Sequence, residues 1–173
     1  MPAEAQWSSA HAIAAGDIDG DGHADLLLAQ NDFHLDAEST RQDAGLGLLL
    51  RGDGSGQFHA VGPRQSGIRI PEQGRSIALG DLDSDGRLDV AMGVLGGPSR
   101  LLRNQSGRAG VTLTAVLIGT RVRWRLGARA GPVLEARAGN GSNGQDSLRI
   151  TVSGIPEGGV VDVRPPKARA LGN

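Results

Sequence analysis

Apolar residues along this chain occur in short runs of strand length, and glycine, asparagine or proline bounds most of these runs. This pattern, in a chain with 28 glycines, predicts an all-β, turn-rich fold rather than a helical one. The predicted strands cover residues 12–15, 26–28, 45–50, 57–61, 75–79, 90–95, 99–103, 111–118, 120–126, 132–137, 147–152 and 159–163.

The pattern changes character near residue 108. Before this point, short runs come in pairs around two acidic loops, and each pair is followed by further strand-length runs. After it, the strands are longer and alternate apolar with polar residues. We therefore predict two parts: residues 1–107, which hold two repeats at about 11–70 and 75–107, and residues 108–173, which form a small β-sandwich-like domain.

The two acidic loops share one arrangement of carboxylates. Aspartates stand at the first, third, fifth and ninth places of each loop, and a glycine stands at the sixth. These residues are Asp17, Asp19, Asp21, Asp25 and Gly22 in the first loop, and Asp81, Asp83, Asp85, Asp89 and Gly86 in the second. Four carboxylates packed so closely repel one another unless a cation neutralises them.

Calcium is the cation that suits such a loop, because it prefers oxygen and accepts six to eight ligands in a flexible shell. We expect each loop to bind one Ca²⁺ through its aspartates, with the backbone carbonyl of His23 or Arg87 at the seventh place as a further ligand. The loops resemble the start of an EF-hand, but its twelfth place needs a glutamate and here holds Leu28 or Met92, which argues against an EF-hand. Strands rather than helices are also predicted on both sides of the loops.

The loops and the runs around them resemble FG-GAP/VCBS repeats, the blades of integrin-alpha-type β-propellers. A glycine-rich hairpin at residues 51–58 matches the later signature of such a blade, and a degraded copy occupies residues 103–107. The resemblance covers about residues 10–107. It implies propeller-type blades that bind calcium, in a non-catalytic extracellular module for interaction or cell adhesion. Two blades do not close a ring, because propellers normally need four to eight.

The second part resembles the ASPIC/UnbV-type domain that follows such repeats in some extracellular proteins. The matching pieces are residues 119–120, 126–129, 138–141, 145–149 and 161–165. This resemblance implies an interaction domain that carries no catalytic residues.

Composition and charge exclude some classes of function and indicate an uneven distribution of charge along the chain. There is no cysteine, so disulfides and thiolate chemistry are excluded. Residues 1–99 hold 15 acids and 6 arginines, a charge of −9, whereas residues 100–173 hold 4 acids and 12 basic residues, a charge of +8. The two halves attract, within one molecule or between neighbours; alternatively, the acidic surplus is partly the calcium loops themselves.

Several other sequence features are better explained by the fold than by a binding site. Residues 51–53 spell the Arg-Gly-Asp tripeptide that integrins bind, but they lie where the blade needs its hairpin. The four histidines lack metal-ligand spacing, and Arg121, Arg123 and Arg125 alternate along a strand, which predicts a solvated face rather than a nucleic-acid site. Residues 31–45 form a long polar insert, a candidate contact surface. Residues 1–10 are predicted to pack Trp7 onto the first blade.

These observations leave three functions open. The first is a calcium-binding extracellular module that contacts a protein or glycan at the cell surface. The second is a structural subunit of a filament or tubule, which self-assembles as its acidic and basic halves meet. The third, a polysaccharide-acting enzyme, lacks a catalytic constellation in the sequence. We expect no membrane span, since no apolar stretch is long enough, and the first residues do not resemble a signal peptide.

Overall fold

The computed structural model describes residues 1–33, 44–114, 116–137 and 149–166. It confirms the all-β fold, with strands as the main elements. The strands are β1 (Ala10–Gly16), β2 (Asp25–Gln30), β3 (Leu48–Gly52), β4 (Phe58–Val61), β5 (Gly74–Gly80), β6 (Asp89–Val94), β7 (Arg100–Leu102), β8 (Val111–Leu113), β9 (Arg121–Leu126), β10 (Arg129–Ala130), β11 (Leu134–Glu135), β12 (Ile150–Val152) and β13 (Val160–Arg164). Two single-turn helices are α1 (Ala3–Gln6) and α2 (Pro63–Ser66).

The first repeat forms an antiparallel sheet with strand order β1-β2-β3-β4, and the second forms a sheet with order β5-β6-β7. The acidic loops connect β1 to β2 and β5 to β6, as predicted. In both hairpins the strands pair down to the loop, where Gly16 faces Asp25 and Gly80 faces Asp89. A register shift also occurs near the far end of each hairpin. The two repeats therefore share their local structure as well as their sequence.

A shared apolar core joins the two blades. Strand β1 lies against β5, and the buried residues come from both sheets and from the segment after α2. They are Ala14, Leu27, Ala29, Ile68, Ile70, Ile77, Val90 and Met92. The blades approach closely at Gly74, where an added Cβ would lie 2.7 Å from the Cβ of Ala29. This packing fixes both acidic loops on one body.

The later strands build a second core. Strand β9 pairs with β10 and β11 along one edge and with β13 along the other edge. Strands β8 and β12 form a separate two-stranded ribbon. Val122 and Trp124 of β9 are buried together with Ala136, Ile150 and Val152. The alternation in β9 turns its arginines to the other face, where Arg125 pairs with Asp162 at 3.2 Å. This agrees with the interpretation of a solvated charged face.

Several element predictions need correction. Strand β8 ends at Leu113 instead of continuing to residue 118, β11 has only two residues, and the pattern gave no sign of β10. Trp7 does not pack onto the first blade, since 85% of its surface is exposed after the short α1. The division of the chain into 1–107 and 108–173 stays a prediction.

Some predictions fall outside the described residues. Residues 34–43 of the polar insert are among these, as are the segments at 138–141 and 145–148 that resemble the ASPIC/UnbV-type domain.

At the start of the insert, Asn31 is buried and its amide contacts the backbone of Gly45, Pro71 and Glu72. Asn31 thereby ties the start of the insert to its end and to the entry of the second blade.

Candidate metal centres

The two acidic loops have nearly identical internal hydrogen bonds. The Asp17 carboxylate accepts the backbone N–H of Asp21 at 3.0 Å and of Gly22 at 2.8 Å. The equivalent bonds in the second loop join Asp81 to the N–H groups of Asp85 at 3.0 Å and Gly86 at 3.1 Å. The fourth and sixth places adopt left-handed backbone in both loops, at Gly20 and Gly22 and at Ser84 and Gly86. Glycine suits three of these places because a Cβ is strained in this conformation, and Ser84 is the exception.

Each loop gathers three carboxylates around one point. Oxygens of Asp17, Asp19 and Asp21 lie within 4.8 Å of one another in the first loop, as do oxygens of Asp81, Asp83 and Asp89 in the second. Two ligands on opposite sides of a calcium ion stand about 4.8 Å apart, since a Ca–O bond is about 2.4 Å long. The donor set is entirely oxygen, which also suits calcium. The residues present therefore fit the ion that the sequence predicts.

The ninth-place aspartates connect each acidic loop to the third strand of its sheet. Asp25 is only 1% exposed, and its carboxylate accepts the N–H groups of Ile18 at 2.9 Å, Asp19 at 3.3 Å and Gly52 at 3.0 Å. Burial raises the pKa of Asp25, and the hydrogen bond from Gly52 partly offsets that effect. Asp25 thus ties the loop to the end of β3, and it is not part of the first carboxylate group.

Asp89 makes the same connection in the second repeat. Its carboxylate accepts the N–H of Leu82 at 2.9 Å and of Asn104 at 2.8 Å, just after β7. Asn104 also donates its side-chain amide to the carbonyl oxygen of Ile18 in the first loop at 2.7 Å. Asn104 therefore links the two loops directly.

The two loops differ at the fifth place. Asp85 pairs with Arg87 at 2.9 Å and is not in the second carboxylate group, whereas the equivalent Asp21 belongs to the first. The loops also differ at the seventh place, which holds His23 in the first loop and Arg87 in the second. The N–H groups of both residues donate to the fifth-place aspartate at 2.9 Å. Their carbonyl oxygens remain predicted ligands.

One arginine of each blade reaches the acidic loop, Arg51 from within β3 and Arg103 from the position directly after β7. Arg51 pairs with Asp19 and, at 3.0 Å, with Asp21, and Arg103 pairs with Asp83. The hydrogen bond to Asp21, followed by the charge of Asp19, raises the pKa of Arg51. We did not predict these contacts. The sequence offers only a weak indication of them, namely that both arginines occupy equivalent places in the two repeats. Each directly precedes the residue whose N–H donates to the ninth-place aspartate.

All three residues of the Arg-Gly-Asp tripeptide, at positions 51–53, make contacts within the molecule. Arg51 faces the loop, and Gly52 lies so close to Ala24 that an added Cβ would stand 2.1 Å from its carbonyl oxygen. Asp53 accepts the N–H of Ser55 at 2.8 Å and of Gln57 at 3.3 Å, which closes the hairpin between β3 and β4. These contacts support the structural interpretation of the tripeptide.

Side chains from the second part of the sequence also reach both loops. The Ser153 hydroxyl donates to Asp17, and the Thr112 hydroxyl donates to Asp81 at 2.7 Å. Burial raises the pKa of Asp17, and the Ser153 hydrogen bond acts against that effect. Arg149 donates to the backbone carbonyl of Asp81 at 3.2 Å. No sequence pattern pointed to these residues, since Ser153 is 136 positions from its partner.

Comparison with known families agrees with the blade architecture. Residues 9–47 match the model of the FG-GAP repeat, and residues 31–92 match that of the FG-GAP-like repeat. Each match contains one acidic loop. No curated protein matches the chain, and the resemblance of the second part to an ASPIC/UnbV-type domain is not shown. Among the described residues, no helix is long and apolar enough to span a membrane.

Proposed function

We propose that this chain, which carries FG-GAP repeats across residues 9–92, is a calcium-binding interaction module without catalysis. The observation that carries the proposal is the pair of carboxylate groups at equivalent places of the two repeats, each compact enough for one ion. Asp17, Asp19 and Asp21 would hold the first ion, and Asp81, Asp83 and Asp89 the second. Asp25, Asp85 and the carbonyls of His23 and Arg87 are proposed to complete the shells.

The proposed role of the ions is mechanical. A bound Ca²⁺ balances the charge of each loop and stiffens a turn that otherwise concentrates like charges. We propose that stiffened loops present a surface to a protein or glycan outside the cell, as in other extracellular modules. An enzymatic role is disfavoured because carboxylates that hold a cation stay ionised and shielded, which is the opposite of a general acid poised to act on a substrate.

Self-assembly is the alternative function, and one observation favours it. Strand β7 is at the end of its sheet, and Leu101 in this strand is 70% exposed. An exposed edge strand with an apolar side chain is a template for pairing with another chain. In this alternative, calcium stabilises a subunit that polymerises through edges and opposite charges.

Calorimetric titration with Ca²⁺, run beside sedimentation with and without chelator, tests both functions. We expect two binding events per chain, and a weaker response to Mg²⁺, which demands stricter octahedral geometry. An unchanged monomer would favour the interaction module, and growth of the particle with calcium would favour the self-assembling subunit. Absence of calcium binding would overturn the proposal.

Replacing Arg51 with glutamine is expected to tighten calcium binding at the first loop. The guanidinium neutralises Asp19 and Asp21 in the metal-free protein and repels an incoming divalent cation. Because Arg51 is about half exposed, its loss should lower metal-free stability by less than about 1 kcal/mol. Calorimetry and denaturation in chelator measure the two effects. The exposed Arg69→Gln is the matched control, and weaker calcium binding in Arg51→Gln would show that the arginine supports the site.

A further inference from the structure

We propose that the ribbon of β8 and β12 forms the second wall of both calcium loops, and that calcium binding and docking of this ribbon stabilise each other. Ser153 and Thr112 are the positioning residues that carry this coupling. The inference rests on the proposed function, since it needs ions in the loops. It goes further by assigning those ions an internal partner, the C-terminal half of the same chain.

The ribbon presents a row of hydroxyl groups to the loops. Ser153 donates to the Asp17 carboxylate, and Thr112 donates to the Asp81 carboxylate at 2.7 Å. Thr112 and Thr151 face each other across the ribbon, and their hydroxyl oxygens are 3.0 Å apart. Each loop is therefore contacted at the same place, its first aspartate, by a hydroxyl from a distant part of the sequence.

The alternation of side chains in β12 explains why the hydroxyls face the loops. Successive residues of a strand point to opposite faces. Ile150 and Val152 are buried in the second core, so Thr151 and Ser153 point away from it. Both are also buried, at 7% and 6% exposure, where Thr151 contacts Thr112 and Ser153 contacts Asp17. The polar face of the ribbon is thus an interface and not a solvated surface.

Backbone contacts seal the same interface. The N–H of Arg108 donates to the carbonyl of Asp19 at 3.0 Å, and the N–H of Gly110 donates to the carbonyl of Gly86 at 2.7 Å. One bond is made to each loop, which repeats the pairing of the hydroxyls. The chain entering the ribbon is therefore held to both loops before β8 begins.

The interface leaves no room for side chains at its closest points. A Cβ added to Gly154 would lie 2.4 Å from the Cα of Gly22, and one added to Gly86 would lie 2.7 Å from the carbonyl oxygen of Gly110. Backbone meets backbone at the sixth-place glycine of both loops. A change in the shape of either loop must then move the ribbon as well.

The hydroxyls occupy only one oxygen of each carboxylate, so they are compatible with an ion on the other. Asp17 accepts the Ser153 hydroxyl and the N–H of Gly22 at Oδ2, and the N–H of Asp21 at Oδ1. Asp81 repeats this arrangement with the Thr112 hydroxyl and the N–H groups of Gly86 and Asp85. Because each carboxylate oxygen has about two acceptor sites, a hydroxyl on Oδ2 holds the carboxylate in place without displacing an ion from Oδ1.

Hydrogen bonds of this outer kind orient metal ligands and raise affinity. Coupling between two binding equilibria is reciprocal, so ribbon docking favours calcium to the same extent that calcium favours docking. The loops would then act as a calcium-dependent clasp between the blades and the C-terminal half. Removal of calcium should loosen the ribbon before it unfolds the blades.

The test combines calorimetry with hydrogen exchange on the full chain. We expect Ser153→Ala and Thr112→Val each to weaken calcium binding at one loop by about tenfold. In the unsubstituted protein, calcium should slow amide exchange in residues 108–113 and 149–154, and the double variant should lose much of that protection. Thr112→Ser, which keeps a hydroxyl, should restore the affinity of the second loop.

Ser8→Ala is the matched control, because it removes a hydroxyl that accepts a hydrogen bond from Gln30 in the blade region. If Ser153→Ala and Thr112→Val bind calcium as Ser8→Ala does, and calcium leaves ribbon exchange unchanged, the coupling is wrong while the calcium sites stand. If the unsubstituted protein itself binds no calcium, the proposed function fails first and the coupling fails with it. Circular dichroism in chelator confirms that each variant is folded.

Discussion

Replacing Asp25 with alanine is expected to destabilise the metal-free protein by about 3 kcal/mol. The buried carboxylate accepts three backbone N–H groups, from Ile18, Asp19 and Gly52. Each buried donor left without a partner costs about 1–3 kcal/mol. Relief of the burial that raises the pKa of Asp25 offsets part of this loss. Chemical denaturation in chelator measures the free energy of unfolding directly.

Asp53→Ala is the control for this prediction. Asp53 also accepts hydrogen bonds from its neighbours, but it is exposed at the tip of a hairpin. Water can satisfy the donors that Asp53 leaves behind, so its replacement should cost less than about 1 kcal/mol. Equal effects of the two substitutions in chelator would show that burial at Asp25 does not matter.

Replacing Asp19 with alanine is expected to remove one of the two calcium-binding events and leave the metal-free protein nearly unchanged. At a calcium concentration of about 100 times Kd, each site adds about 2.7 kcal/mol to stability. The variant should lose this amount in calcium. In chelator it loses the pair with Arg51 and a hydrogen bond from the N–H of Asp21, a donor that Asp17 also accepts, together worth about 1 kcal/mol. Calorimetry counts the events, and thermal melting with and without calcium measures the stabilisation.

The second repeat supplies the control for Asp19→Ala. Asp83→Ala should remove the other event, and the double substitution should abolish both along with all stabilisation by calcium. Two binding events in Asp19→Ala would mean that the first carboxylate group is not a metal site. The substitutions of Asp19 and Asp25 thus distinguish metal binding from stabilisation of the fold. Only Asp25 is expected to contribute strongly to the stability of the metal-free protein.

Interactions within the repeats were predictable from the sequence. The paired strands around both loops, the hairpin at residues 51–58 and the carboxylate spacing all depend on residues close together in the chain. Glycine at the sixth place, left-handed in both loops, was predictable for the same reason. In the second half of the chain, the sequence predicted the strand boundaries less accurately. Pairing there is non-local, since β9 pairs with both β11 and β13.

Even within the loops, the sequence did not assign individual roles. Eight aspartates matched one motif, yet Asp25 turns to the N–H of Gly52 and Asp85 turns to Arg87. The fold brings Gly52 to Asp25 across 27 residues, whereas Arg87 is only two residues from Asp85, and the motif does not indicate either contact. The two copies therefore differ in their carboxylate groups although their motif is the same.

By itself, the sequence determined an all-β chain with two repeats and two oxygen-lined loops, because strand alternation and close carboxylate spacing are local properties. Only the tertiary structure decided what surrounds the loops. It brought Arg51 of β3 and Arg103, directly after β7, to the carboxylates, and it placed Ser153 against Asp17 across 136 residues. Contacts of such long separation depend on how the sheets and the ribbon pack together, and that packing leaves no periodic trace in a single sequence.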